Sequence, residues 1–288
     1  MFPKGMILVL ATLVITSLAC GISINLPTER INTGPVQTEE INILVPDTSE
    51  PVNLSIGFGA GELEINPGAQ EALVEGTAEY NVPALKPEVS VDGDNITLDT
   101  GEMKIEGLPV FRDEYRNTWD LKLGDALMDL TVNAGAYKGN IELGGLSIQS
   151  LSITDGASEA RWSFSQPNLV DMESLRYQTG ASSISLEGLA NTRADEITFK
   201  GGAGSYKLDF SGDLQREMTV NVDAGISNLE IVVPEGVSAQ VNSSGGLSNV
   251  DVNGSWEKSG DVYTTPGEGP RITLNVNMGA GNVELRNR

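Results

Sequence analysis

A regular alternation of apolar and polar residues recurs along most of the chain. The stretch LSIGFGAGELEI at positions 54–65 returns as LNVNMGAGNVEL at positions 274–285, and six similar stretches lie between the two. In each copy, apolar and polar residues alternate on both sides of one glycine, which is the period of a half-buried β-strand. The pattern therefore predicts two short strands per copy, joined by a bend at the glycine.

These glycines recur at a nearly constant spacing. Five successive steps between them measure 21–24 residues, while the first step measures 76 residues and the last 33. A glycine at such a bend permits a tight turn or the close approach of a neighbouring backbone. The predicted bend glycines are Gly59, Gly135, Gly156, Gly180, Gly202, Gly225, Gly246 and Gly279.

A repeat of about 22 residues with two strands per copy favours an all-β fold, the β-solenoid, whose coils stack about 4.8 Å apart. We predict about seven coils of 21–24 residues over residues 130–288. Residues 48–129 predict further strands, which we place as an N-terminal β cap because the open end of a solenoid needs a cover. A β-sandwich of the same strands is the structural alternative.

The first residues have the features of a secretory signal. Lys4 precedes an apolar run over residues 6–15, which is too short to span a membrane. The letters LACG at positions 18–21 resemble the lipobox of bacterial lipoproteins. This resemblance implies removal of residues 1–19 as a signal peptide and lipidation of Cys20, the only cysteine. Two or three acyl chains would anchor the chain in a membrane. The alternative is an ordinary signal peptide or an N-terminal anchor.

The segment after the cysteine is polar and contains three prolines. We predict a flexible tether over residues 20–47, which would span about 30 Å as a random coil. The full chain carries a net charge of −22, and removal of residues 1–19 takes away one lysine and leaves −23. This acidic balance argues against nucleic acid and anionic lipid as partners.

The residue types present limit the chemistry that the chain can perform. No histidine occurs, which removes Ser-His-Asp and Cys-His catalysis. Paired carboxylates remain, and such pairs can cleave glycosidic bonds. A polysaccharide lyase or glycoside hydrolase on a β-helix scaffold is therefore one functional alternative. The candidate carboxylates are Asp120, Asp125, Asp129, Asp171 and Glu173.

A second candidate site lies five residues after the last bend glycines. Glu230, Asp251 and Glu284 occupy outward positions there, and coils stacked in register would place them about 5 Å apart. Oxygen ligands from such carboxylates suit a hard cation, so Ca²⁺ is a candidate ligand. At the end of the last coil, Arg286 and Arg288 either guard an exposed edge or mark a surface for self-association.

The order of these elements resembles the toast-rack family of bacterial envelope proteins, which is related to LiaF-like C-terminal domains and to adhesin-like domains. The resemblance covers about residues 52–288. The segments that carry it are GAGELEINPGAQEALVEGTAEYN (59–81), KPEVSV (86–91), WDLKL (119–123) and VDAGISNLEIVVPEGVSAQVNSSGGLSNVDV (222–252). It implies an elongated solenoid outside the membrane and supplies no catalytic residue.

Together these features favour a non-enzymatic lipoprotein of the bacterial cell envelope that acts as an interaction or scaffold module. The expected partners are the membrane, through the lipid anchor at Cys20, and an envelope protein or a cell-wall polymer. A modulator of envelope-stress signalling is the alternative that the LiaF-like relatives suggest.

Overall fold

The computed structural model describes residues 28–31, 33–101, 108–111 and 115–288. Nearly all regular structure in these residues is β-strand, with short 3₁₀ turns at Pro83–Leu85 and Leu189–Thr192. The strands are β1 (Thr28–Ile31), β2 (Gln37–Leu44), β3 (Val52–Pro67), β4 (Ala72–Tyr80), β5 (Pro87–Asp92), β6 (Asn95–Thr100), β7 (Leu108–Phe111), β8 (Asn117–Leu123), β9 (Met128–Glu142), β10 (Ile148–Ser163), β11 (Met172–Glu187), β12 (Ala194–Asp209), β13 (Met218–Val233), β14 (Ser238–Asn253), β15 (Glu257–Ser259), β16 (Val262–Thr265) and β17 (Arg271–Asn287).

The chain divides into two units. The smaller unit comprises residues 1–32 and 104–114, and within it β1 pairs in parallel with β7. The larger unit comprises residues 33–103 and 115–288, and its 15 strands form one continuous sheet. One continuous sheet differs from the two facing sheets of the β-sandwich alternative.

Eight long strands, each 15–17 residues, form the body of the larger unit. They pair in parallel and in register in the order β3, β9, β10, β11, β12, β13, β17, β14. Each contains one predicted bend glycine near its middle, so the predicted β-solenoid is confirmed. Seven of the eight strands lie after residue 127. Because β3 stacks on β9 as an eighth coil, it belongs to the solenoid and not to the cap predicted over residues 48–129.

The alternation on each side of the bend builds one core. In β13, Val220 and Val222 before the bend and Leu229 and Ile231 after it are all buried, while Asn221 and Glu230 face outward. Burial of each such side chain contributes about 1.5–3 kcal/mol. Trp162, which the repeat places at an inward position, is fully buried in this core.

At several bends, the neighbouring backbone approaches too closely for any residue other than glycine. A Cβ atom on Gly135 would lie 2.2 Å from the carbonyl oxygen of Gly59, and one on Gly180 would lie 2.4 Å from that of Gly156. None of the eight bend glycines has a positive φ. At the closest of these approaches, glycine is therefore needed for space between stacked coils and not for an unusual backbone conformation.

At the N-terminal end, shorter strands cover the stack. β6 pairs with the first half of β3 and β8 with the second half, and β5, β4 and β2 then add antiparallel. Ile41 and Ile43 of β2 are buried. The prediction of a flexible tether over residues 20–47 is therefore wrong for residues 37–44, because the short alternation EINIL forms a strand of the sheet.

At the C-terminal end, the strand order departs from the chain order. β17 lies between β13 and β14, and a hairpin of β15 and β16 covers the first half of β14. The last strand of the chain is thus an interior strand. The interpretation that Arg286 and Arg288 guard an edge is wrong, because β14 and not β17 occupies the end of the stack.

Candidate functional site

The outward side of the strand halves after the bend, which we call the second-half face, carries two in-register rows of polar side chains. Each strand contributes its third and fifth residue after the bend glycine, and adjacent strands place these residues directly beside one another. In stacking order, the third-residue row is Glu62, Lys138, Glu159, Ser183, Ser205, Asn228, Asn282 and Asn249, and the fifth-residue row is Glu64, Asn140, Arg161, Ser185, Lys207, Glu230, Glu284 and Asp251.

A groove of about 520 Å³ lies in this face where the side chains are short. Ser183, Ser205 and Asn228 line it along one row, and Arg161 and Lys207 stand along the other. The groove is open to solvent and lies within the size range of small-ligand sites. Its lining offers hydroxyl and amide groups, which both donate and accept hydrogen bonds, and the carboxylates of Glu159, Glu230 and Glu284.

Two carboxylates hold the cations of the groove in place. Arg161 donates from Nη2 to Glu187 Oε2 at 2.6 Å, and Lys207 Nζ lies 3.1 Å from Asp209 Oδ2. The hydrogen bond from Arg161 lowers the pKa of Glu187. Burial opposes ionisation of Asp209, but hydrogen bonds from Ser211 and Lys207 outweigh it and lower its pKa. Both carboxylates therefore remain ionised at neutral pH and neutralise the two cations.

The predicted cation site lies at the C-terminal end of the same face. The structure places Glu284 between Glu230 and Asp251, in register with both. Arg286 forms ion pairs with both Glu284 and Glu230. Its Nη2 lies 2.7 Å from Glu284 Oε1, and its Nε lies 3.2 Å from Glu230 Oε1. Arg288 approaches Glu230 at 3.3 Å. Within the described residues, no group of three or more acidic or cysteine ligands is placed to hold a metal ion. Arg286 thus supplies the positive charge that Ca²⁺ was expected to supply.

The candidate catalytic carboxylates are dispersed. Asp171 forms ion pairs with Arg193 and Arg216. Asp129 accepts a hydrogen bond from Ser150 Oγ at 2.6 Å. Of the others, Glu173 accepts a hydrogen bond from Gln149 Nε2, Asp120 faces outward on β8 and Asp125 lies in the loop after β8.

A glycoside hydrolase needs one carboxylic acid with a raised pKa. Three described carboxyl groups, Glu142, Glu187 and Asp209, have a lowered pKa, which is the opposite of what such an acid needs. For Glu142, burial opposes ionisation, but donors outweigh it: the N–H of Ser165, the hydroxyl of Ser163 and the N–H of Gly144. These groups suit structural hydrogen bonding and not proton donation to a substrate.

A buried polar cluster lies inside the bend of β9–β11 and was not predicted. Asp155 is 5% exposed, and its Oδ2 accepts hydrogen bonds from Tyr177 at 2.6 Å and Tyr137 at 3.3 Å. Burial raises the pKa of both tyrosines. The sequence could have indicated this cluster, because Asp155 lies directly before Gly156 at a position that the repeat directs toward the core. The cluster is separate from the groove.

Comparison with known proteins identifies a family domain in the first part of the described chain. Residues 32–173 match the N-terminal domain of toast_rack, DUF2154, so this part of the chain belongs to the toast-rack family. The crystal structure of a candidate cell adhesion protein from Clostridium sporogenes is 16% identical, with a TM-score of 0.52, and the match covers 88% of this chain and 100% of that one. This likeness shows a common fold.

Two further crystal structures are more distant. They are a candidate lipid-binding protein from Parabacteroides distasonis (12% identity, TM-score 0.43, covering 89% of this chain and 99% of that one) and a candidate adhesin from Bacteroides fragilis (10% identity, TM-score 0.37, covering 90% and 100%). A search of curated proteins finds no match. Cys20 and the apolar run over residues 6–15 lie outside the described residues, within which no helix has the length and apolar character to cross a membrane.

Proposed function

We propose that this chain is a non-enzymatic, adhesin-like module of the bacterial envelope that binds a cell-wall polymer through the groove of the second-half face. The observation that carries the proposal is the row of short polar side chains, Ser183, Ser205, Asn228 and Asn282, repeated from strand to strand. Stacked coils repeat such groups about every 4.8 Å. A surface that repeats in this way suits a ligand that also repeats.

The charge of the groove favours a neutral or zwitterionic polymer. Arg161 and Lys207 are paired with Glu187 and Asp209, so neither cation is free to attract a polyanion. The chain as a whole carries a net charge of −22, which repels anionic polymers at long range. Hydroxyl-rich glycans are therefore the favoured ligand class, and an envelope protein is the alternative that the experiment below distinguishes.

Attachment to the membrane through Cys20 is part of this proposal. The apolar run and the LACG motif support it, as does membership of a family of envelope proteins. We expect the chain to incorporate labelled palmitate when it is made in bacterial cells, and we expect Cys20→Ser to abolish the labelling. Unchanged labelling of the Cys20→Ser chain would refute the anchor.

The groove is tested by filling it. Ser205→Tyr places a ring between Ser183 and Asn228, and aromatic residues are well tolerated on exposed strand faces. Thr198→Tyr, on the same strand but on the outward face before the bend, is the matched control. We expect the unaltered chain and Thr198→Tyr to co-sediment with purified cell-wall material, and Ser205→Tyr to remain in solution.

Equal binding by the two tyrosine variants would refute the groove as the site. A second outcome is that the unaltered chain fails to co-sediment but captures one envelope protein, which Ser205→Tyr no longer binds. In that case the ligand of the groove is a protein and not a polymer. Turnover of a glycan by the unaltered chain would refute the non-enzymatic reading.

A further inference from the structure

The second half of β14, residues 247–253, forms an open edge of the sheet. Before its bend, β14 pairs with β16 on one side and β17 on the other. After the bend, residues 247–253 pair with β17 alone, and no other described strand pairs with them. An unpaired strand edge presents backbone donors and acceptors that another strand can bind.

The stack shows which backbone groups point toward this edge. Residues whose side chains face the core direct their N–H groups toward the C-terminal end of the stack. The N–H of Val52 donates to Leu127 at 2.9 Å, and the N–H of Ser243 donates to Asp261 beside β16 at 2.9 Å. Val250 has the same orientation, because it pairs with a core position of β17. Its N–H and C=O groups therefore point out of the open edge.

This edge carries one charged residue, Asp251, and neither proline nor lysine within residues 247–253. Proline, lysine and bulges are the devices that most often keep natural edge strands from pairing. Val252 is 48% exposed, whereas Leu285, its neighbour on β17, is fully buried. A further strand beside β14 would cover the exposed valine.

We propose that the occupant of this edge is a second copy of the chain, paired antiparallel about Val250. In that register the two Val250 residues face each other and exchange backbone hydrogen bonds, and Asn249 of each copy lies opposite Asp251 of the other. Asn249 Nδ2 already donates to Asp251 within its own strand at 2.9 Å and to Asn282 of β17 at 3.2 Å, and the carboxylate of Asp251 accepts further bonds. The pairing is isologous, as a two-fold dimer requires.

Charge selects this register. A shift of the two-fold axis to Asp251 would place the two carboxylates opposite each other, and like charges directly across strands are destabilising. With the axis at Val250, each carboxylate instead meets an amide. The edge is thus complementary to itself in one register and repels itself in the neighbouring one.

The test uses sedimentation of the full-length chain in density-matched mild detergent. We expect a dimer that dissociates on dilution. Val250→Pro removes the N–H group that points out of the edge, at a position where edge strands tolerate proline, so we expect a folded monomer. Val250→Ala keeps that N–H and should still dimerise.

A charge exchange tests the register and covers the case in which the proline variant fails to fold. Asn249→Asp places a carboxylate opposite Asp251 at both symmetry-related positions of the dimer. We expect the dissociation constant of the dimer to rise about tenfold or more. Asn249→Asp combined with Asp251→Asn restores the amide–carboxylate pairs and should restore the dimer. A monomeric unaltered chain, a proline variant that still dimerises, or a double variant no better than Asn249→Asp would each overturn the proposal. Ser205→Tyr leaves this edge unchanged, so the proposed dimer and the proposed polymer binding are tested separately, and either proposal can be refuted without the other.

Discussion

Alanine at a bend glycine tests the close approach of stacked backbones. The cost should depend on the distance from the new Cβ to the neighbouring carbonyl oxygen. At Gly135 that distance is 2.2 Å, to Gly59, and at Gly279 it is 3.0 Å, to Gly225. Both strands lie inside the stack, so the two substitutions form a matched pair.

The expected magnitudes follow from two opposing effects. Overpacking a well-packed site costs about 1–3 kcal/mol, while replacement of glycine by alanine stabilises by about 0.4–1 kcal/mol through the unfolded chain. At Gly135 the strands must separate, so we expect a net loss of about 1–2 kcal/mol. At Gly279 a shift of a few tenths of an ångström suffices, and we expect a change near zero. For a domain of this size the larger loss lowers the melting temperature by about 2–8 °C.

The assay is urea unfolding of the full-length chain, followed by circular dichroism and by tryptophan fluorescence. A lower midpoint with an unchanged slope reports lost stability, whereas a changed slope would indicate that the coils no longer unfold together. If Gly135→Ala and Gly279→Ala lose equal stability, the close approach to the carbonyl oxygen does not explain the bend glycines.

Three further predictions concern buried or partly buried ionisable groups. Tyr177→Phe removes a hydrogen-bond donor to the buried carboxylate of Asp155 and should lower the free energy of unfolding by about 1–3 kcal/mol. Tyr206→Phe removes a buried hydroxyl that has no partner among the described residues and should cost less. The urea midpoints of the two variants test the difference. Glu142 has a lowered pKa, so it stabilises the fold above its unfolded value of 4.5 and loses this effect as the pH falls; Glu142→Gln should be less stable than the unaltered chain at neutral pH, and the gap should shrink in acid. Burial raises the pKa of Tyr137 and Tyr177, so their contribution to the stability of the fold is complete below the unfolded pKa of about 10 and is lost at higher pH. Tyrosinate absorbance should therefore rise in alkali together with the loss of circular dichroism. Separate transitions would contradict the burial of these hydroxyl groups.

The coils were predictable because each one is locally complete. Alternation around a glycine specifies two half-strands and their inward side chains without reference to any other part of the chain. The spacing of the glycines then sets the number of coils. For the same reason the two rows of the second-half face follow from the repeat, since stacking in register places equivalent residues side by side.

The order of the last two coils was not predictable from the repeat. Every coil presents the same kind of edge, so β13 can accept either β14 or β17 as its neighbour. The 33-residue step before Gly279 was the available signal, because the extra residues form the hairpin of β15 and β16. The contact of Arg286 with Glu230 depends on this exchange and was missed with it.

The short strand β2 was missed for a different reason. Its alternation covers only a few residues between polar, proline-containing segments, and its burial depends on pairing with β4 and not on its own sequence. Such strands are recognised only when the partner strand is known.

Because β14 and not β17 lies at the end of the stack, the proposed dimer at the edge of β14 also affects the proposed polymer-binding groove. A two-fold axis at Val250, perpendicular to the sheet, keeps the second-half faces of both copies on the same side of one continuous sheet. A polymer bound in one groove then lies near the second groove, and a second contact within one assembly gains from effective concentration. Val250→Pro should therefore weaken binding to long cell-wall fragments while leaving binding to short fragments unchanged. Equal losses for both lengths would show that the proline disturbs the groove itself.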